Sequence, residues 1–162
     1  MITLFASVCI EAPADVVWAQ LAKLEDIQLW SEPVLHARST GAVSQGVGAE
    51  RVCTLAGNTS ITERWVAWDE GRSFTYEGSG IPLMQRAVNR WSVISQGERA
   101  WLTSEVELTI KGGMIGRILE LILGTLMRRM APNALAGFKY LVEHGHPYDG
   151  KTSDLPRAPA TC

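Results

Sequence analysis

The longest regular pattern of apolar positions lies between Gly112 and Gly145. Met114, Ile115, Ile118, Leu119, Ile122, Leu126 and Met130 recur three or four apart, and Leu121, Leu123 and Met127 widen the stripe. Arg117, Glu120, Gly124 and Arg128 form the narrow polar side. This spacing predicts an amphipathic helix with an unusually broad apolar face. Gly112-Gly113 ends the preceding segment, and Gly145 with Pro147 closes the helix. Pro132 lies inside the pattern and predicts a kink, or two helices in series. At about 1.5 Å per residue the helix would run about 45–50 Å, more than the width of one small sheet. Two roles fit it: a core helix, or a helix closing over an apolar cavity that its methionines line. Arg117 and Glu120 interrupt the run, so a membrane span is not expected. A helix lying on a membrane surface is compatible with the pattern, although the polar side is not lysine-rich.

Ahead of this helix the periodicity is two. Ile2, Leu4, Ala6, Val8 and Ile10 alternate with Thr3, Phe5, Ser7 and Cys9, which predicts a strand over 2–11. Pro13 and Asp15 open a short helix with Val16 or Val17, Leu21 and Leu24 on its apolar face. A second short helical segment spans 25–30, and Ser31-Glu32-Pro33 breaks it. Six strand-like runs follow, at 34–39, 49–56, 59–69, 73–77, 83–95 and 100–110, separated by Gly-rich or Asn-Gly-type turns. Hairpin-length connections predict an antiparallel meander. The whole is α+β: a curved sheet with one face to bury and one long apolar helix to cover it. From His146 the chain turns Pro-rich, polar and aperiodic, so residues 146–162 are expected to be a mobile tail and residues 1–145 the domain.

Composition narrows this picture only a little. A chain of 162 residues holds one domain with a proper core. A formal charge of -2 and the lack of a basic stripe argue against nucleic acid. Six tryptophans are many for this length, enough to pack a core and to line a large apolar pocket. Cys9, Cys53 and Cys162 have no metal-type spacing. An odd, sparse set argues against a disulfide scaffold and fits a reducing compartment, hence a cytoplasmic location. The apolar start has no basic segment before it and reads as a strand, not a secretion signal.

The order of elements resembles the START-like superfamily, the helix-grip fold, and particular stretches resemble its bacterial polyketide cyclase/dehydrase and lipid-transport branch. Ile10 to Trp30 (IEAPADVVWAQLAKLEDIQLW) is similar to that branch's opening, an apolar strand leading into Pro-Ala-x-x-Val-Trp. Gly46 to Val52 (GVGAERV) and Ile61 to Tyr76 (ITERWVAWDEGRSFTY) are similar to its central hairpins, and Ala136 to Glu143 (AGFKYLVE) to the end of its last helix. The likeness covers about residues 1–145. It implies a sheet of about seven strands wrapped around the long helix, with a cavity between them. The helix would then supply Met114, Ile118, Leu121, Ile122 and Thr125 to the cavity wall. Alternation in the last strand puts Leu102, Ser104, Val106, Leu108 and Ile110 inward. Phe74 and Tyr76 share a face, and Trp91 with Asn89 is taken as inward in its strand.

No catalytic constellation stands out. His36 is a structural histidine or a base at the cavity mouth. Glu63 and Arg64 head a Trp-rich strand that contains Trp65; they form a solvated cross-strand pair, or Glu63 points inward as an acid or base. Arg86 and Arg90 carry the same ambiguity, and Tyr76 is either a core tyrosine or a donor to a ligand carbonyl. No serine sits in a nucleophile elbow, and Gly46-x-Gly48 and Gly78-x-Gly80 read as hairpin turns. His144 and His146 lack a third ligand, so no metal and no cofactor are implied. The expected function is binding of a small hydrophobic molecule (a lipid, a polyketide-like or an aromatic compound), with Trp30 also on the pocket's edge. The alternative is a polyketide cyclase/aromatase or dehydratase using acid/base residues of the same cavity, and a third reading is an interaction module with an uncovered apolar helix. A monomer or a homodimer suits either.

Overall fold

The computed structural model describes residues 1–81 and 83–162. Strand β1 (Ile2–Ile10) leads into helix α1 (Ala14–Leu21), a 3-10 turn (Leu24–Asp26) and the single-turn helix α2 (Ile27–Trp30). The meander follows as β2 (Val34–Ser39), β3 (Glu50–Leu55), β4 (Thr59–Asp69), β5 (Ser73–Ser79), β6 (Met84–Gln96) and β7 (Arg99–Ile110), and α3 (Gly113–His144) closes the domain. These strands form one antiparallel sheet in the order β1-β7-β6-β5-β4-β3-β2. The arrangement is the helix grip that the resemblance implied. Gly78, expected in a turn, continues β5 and pairs with Glu63 and Ala87.

Turn chemistry sets the register that later builds the site. Between β3 and β4, Gly57 (φ 78) and Asn58 (φ 60) are both left-handed. Glycine adopts that region freely and asparagine more readily than most residues. The tight reversal places Leu55 opposite Thr59, and therefore Arg51 opposite Glu63 and Glu50 opposite Arg64.

The main core lies on the sheet's concave face under α1, α2 and the second half of α3. Trp30 of α2 meets Phe138 and Trp91 edge-on, with centroids 5.2 and 5.8 Å away. Each such pair contributes about 0.5–1.5 kcal/mol beyond its area. The close approach requires Gly137: a Cβ there would stand 2.6 Å from the Trp30 carbonyl oxygen.

α3 runs unbroken through Pro132, where the pattern predicted a kink or two helices. Its two halves differ. Leu135, Ala136, Phe138 and Leu141 bury the second half. The first half sits on β1 and β7 through Gly124, Leu123 and Met127, against Ile2, Leu4 and Leu108, while Gly116 packs on the backbone of Ile110 and Lys111. Glu120 on the same side accepts from the Ile110 amide and the Met1 amine. The narrow polar-and-glycine side is thus the side that docks, because small residues let the helix axis come close to β1. The broad apolar arc stays uncovered. Met114, Ile118, Leu121, Ile122 and Thr125, expected on the cavity wall, are exposed on the opposite side of the helix, which corrects that expectation.

Residues 146–162, expected as a mobile tail, lie against the domain. Thr152 is buried, and its amide and hydroxyl both donate to Glu32. The Cys9 amide donates to Pro159 O, and Ser7 Oγ and Trp101 Nε1 donate to Ala160 O. A Cys9–Cys162 disulfide closes the segment onto β1. The sparse cysteine set argued against disulfides; the bridge joins positions 153 residues apart, which spacing alone does not reveal. It also removes the support that cysteine usage gave to a reducing compartment. Among the described residues, no helix is long and apolar enough to cross a membrane.

Candidate functional site

The inward positions of β3 to β7 form a continuous floor. Alternation and register bring Arg51 and Cys53, Glu63 and Trp65, Phe74 and Tyr76, Asn89 and Trp91, and Ser104 to the same face. Three polar systems lie in it.

The first is a buried ion pair. Arg51 is 4% exposed and Glu63 5%. Arg51 Nε and Nη2 both donate to Glu63 Oε2, the former at 2.7 Å, and Nη1 donates to the Leu24 carbonyl. The guanidinium also stands over the rings of Trp65 (5.0 Å) and Tyr76 (5.8 Å). Burial disfavours the charged Arg51, but the Glu63 carboxylate, with Tyr76 and Cys53, more than offsets it and holds the guanidinium above its ordinary pKa. Cys53 Sγ points to Glu63 Oε2 at 3.6 Å, and burial pushes this thiol up to about 12.

The second is a hydrogen-bonded chain. Asn89 Nδ2 donates to the Tyr76 hydroxyl at 2.9 Å, and Ser104 Oγ donates to Asn89 Oδ1 at 3.1 Å. Burial raises the Tyr76 hydroxyl well above its usual value, so it stays a protonated donor. No acceptor for its hydrogen is found among the described residues. The third is Trp65 Nε1, a fully buried donor that finds no partner among the described residues. Such groups normally find one, because an unmade bond costs about 1–3 kcal/mol.

The floor is sealed at one end and open at the other. Trp65, Phe74, Tyr76 and Trp91 are buried beneath α1, α2 and the end of α3. Further along the same faces, Ile61, Gly78, Ala87, Asn89 and Val106 are only half-buried. That end lies where the first half of α3 runs along β1 instead of closing down on the sheet. Two further hollows follow β1 itself. One of about 410 Å³ lies between Met1–Thr3 and Arg117–Arg128. The other, about 550 Å³, lies between Leu4–Val8, Pro132–Leu135 and Arg157–Ala160.

The sequence candidates divide accordingly. Glu63, Trp65, Phe74, Tyr76, Asn89 and Trp91 come together on the floor. Trp30 packs into the core beside Trp91. His36 is exposed on the edge strand β2, opposite Thr54 and away from the floor. Arg64 is exposed and pairs with Glu50 at 2.9 Å, so the cross-strand reading holds for Arg64 while Glu63 turns inward. Arg86 and Arg90 are exposed, and Arg86 lies 3.8 Å from Glu77 and 3.7 Å from Glu107. Arg51, Cys53 and Ser104 were not among the candidates. The Gly57-Asn58 reversal was the signal for Arg51, because counting back from it pairs Arg51 with Glu63.

The family described as polyketide cyclase/dehydrase and lipid transport matches residues 1–143. No curated protein matches the chain. Among solved structures, the Zhui aromatase/cyclase from Streptomyces sp. R1128 is similar at TM-score 0.76 and 18% identity, over 88% of this chain and 94% of that one. A Thermobifida fusca protein is similar at TM-score 0.68 and 25% identity, over 91% and 98%. A START superfamily protein from Mycobacterium smegmatis follows at TM-score 0.67 and 13% identity, over 88% and 97%.

Proposed function

The chain belongs to the polyketide cyclase/dehydrase and lipid transport family, and from that premise we propose that it binds a small hydrophobic ligand between the concave sheet and α3. One observation carries the reading. The Tyr76–Asn89–Ser104 chain lies where the sealed aromatic floor gives way to half-buried positions, with the Tyr76 hydrogen uncommitted. A ligand entering from the open end would rest its apolar body on Ala87 and Val106 and accept one bond from Tyr76. That combination of apolar surface and a few fixed polar groups suits a lipid, a polyketide-like or an aromatic compound with a carbonyl or hydroxyl.

The test is native mass spectrometry of the purified protein, with extraction of anything bound. Titration with fatty acids, sterols and aromatic polyketides follows, read by tryptophan fluorescence, since Trp65 and Trp91 lie in the floor. A co-purifying apolar compound, or saturable quenching by one class, supports the reading. A clean protein mass with no response to any class sinks it.

A second reading rests on the same hydroxyl. A protonated tyrosine fixed by Asn89 can donate to a substrate carbonyl oxygen and stabilise the negative charge that builds there as water takes the α-proton, the enolisation a cyclase or dehydratase needs. Tyr76→Phe would then abolish turnover of an enolisable aromatic polyketide while leaving its binding within about ten-fold, the value of one hydrogen bond. Equal loss of both would assign Tyr76 to binding alone.

A further inference from the structure

The first half of α3 presents a surface that the rest of the domain leaves open. Met114 is 82% exposed, and Ile115, Ile118, Leu121, Ile122 and Leu126 are all more than half exposed. At about 100° per residue they span roughly two-fifths of the helix circumference, away from the side that docks on β1 through Gly124. A second element adds to the same end. Leu83, in the β5–β6 connection, is 60% exposed. Its carbonyl accepts from the Lys111 amide at 2.8 Å, at the foot of the helix. Leu83 has φ +64, a conformation that costs a branched apolar residue energy and yet turns its side chain outward.

Charge on this stretch is mostly positive. Lys111, Arg117, Arg128 and Arg129 stand there against Glu120 alone, in a chain whose formal charge is -2. Glu120 is engaged with the Met1 amine and the Ile110 amide. Among the described residues none of the four cations forms an ion pair. An exposed apolar arc flanked by unanswered cations fits one kind of partner better than another. Two-fold pairing with a second copy would stack these cations on their own images, with no free carboxylate to meet them. A surface with anionic headgroups over an apolar interior meets both features at once.

We propose that the first half of α3, together with Leu83, docks on an anionic lipid bilayer, lying in the headgroup region without crossing it. The docking does not depend on the floor being occupied, and it can be tested without a ligand.

The experiment is co-sedimentation with large unilamellar vesicles, of phosphatidylcholine alone and of phosphatidylcholine and phosphatidylglycerol at about 3:1, with light scattering of the free protein alongside. The expected result is binding to the anionic vesicles only, released as sodium chloride rises from about 0.1 to about 0.5 M. Arg128→Gln with Arg129→Gln should weaken that binding about thirty-fold, at about 1 kcal/mol per arginine. Ile118→Asp with Ile122→Asp should abolish it while leaving urea unfolding unchanged, since both side chains are exposed. Three results would overturn the proposal. The first is no sedimentation, or equal sedimentation, with the two vesicle types. The second is unchanged binding by the aspartate variant. The third is a wild-type dimer that this variant turns into a monomer, which would assign the arc to a second copy.

Discussion

Replacing Glu63 by alanine should leave a guanidinium buried without its counter-ion. Arg51 is 4% exposed, so water cannot replace the lost carboxylate. Breaking a buried pair from one side typically costs about 3–5 kcal/mol. Arg51 retains the Leu24 carbonyl and the faces of Trp65 and Tyr76, which offset part of the loss. The expected cost is therefore at the low end, about 3 kcal/mol, a large share of the roughly 5–15 kcal/mol that holds a domain together. Urea unfolding followed by tryptophan fluorescence would read it, and the melting temperature should fall by about 6–12 °C. The informative control is Arg51→Met with Glu63→Leu. Removing both charges leaves no orphan charge, only the Leu24 carbonyl and the weak Cys53 donor without these bonds, so the double variant should lie within about 1–2 kcal/mol of the wild type, or above it. The reasoning fails if Glu63→Ala costs less than about 1 kcal/mol, or if the double variant is as unstable as the single one.

Gly137→Ala should destabilise the domain by about 1–3 kcal/mol, because its Cβ would stand 2.6 Å from the Trp30 carbonyl oxygen and 2.8 Å from Thr152. Urea unfolding within 0.5 kcal/mol of wild type would contradict that packing. Cys162→Ser, measured under oxidising conditions, should cost about 2–4 kcal/mol and make the 146–162 segment sensitive to protease; no change in either would show that the bridge does not hold the tail. The Cys53 thiol, raised by burial from 9.0 to about 12, keeps its proton in the folded state where the unfolded chain loses it. The folded state then binds more protons, so stability should fall as pH rises from about 9 towards 12, and Cys53→Ala should flatten that fall. Unfolding curves at pH 8 and pH 10 give the comparison, and an unaltered slope in the variant would rule the thiol out.

Much of the architecture was written in the periodicities. Alternation in β7 placed Leu102, Ser104 and Leu108 inward, and the burial of all three agrees. The parity chosen for β6 put Trp91 and Asn89 on the floor, which their pairing with Phe74 and Tyr76 matches. The ion pair was legible in principle but overlooked. The pattern leaves Glu63 either in a solvated cross-strand pair or pointing inward, and names no partner for an inward carboxylate; a strand sends Glu63 and Arg64 to opposite faces, and each takes its partner from β3. The long helix misled for a different reason. A hydrophobic pattern tells which side of a helix avoids water, not which side a sheet can approach. Close approach to β1 was decided by Gly124, which meets Ile2 with no side chain between, while Gly116 lets the helix start fold onto the Ile110 and Lys111 backbone.

That inversion connects the floor and the helix. Had α3 laid its broad face on the sheet, Leu121 and Ile122 would have filled the space above Asn89 and Val106. Docked through Gly124, Leu123 and Met127, it leaves the inner face half-open and its own apolar arc outside. Both consequences follow from that one seat, so bulk added at Gly124 should disturb both. A Cβ there meets Ile2 at 3.4 Å, a contact that a flexible isoleucine can relieve, whereas a valine's branches press further into β1. Gly124→Ala should therefore be nearly neutral. Gly124→Val should lever the first half of α3 away from β1, raising hydrogen exchange across 113–127 while the Trp30–Phe138 end stays protected. Uniform exchange along α3 in that variant would mean that Gly124 does not set the helix's seat.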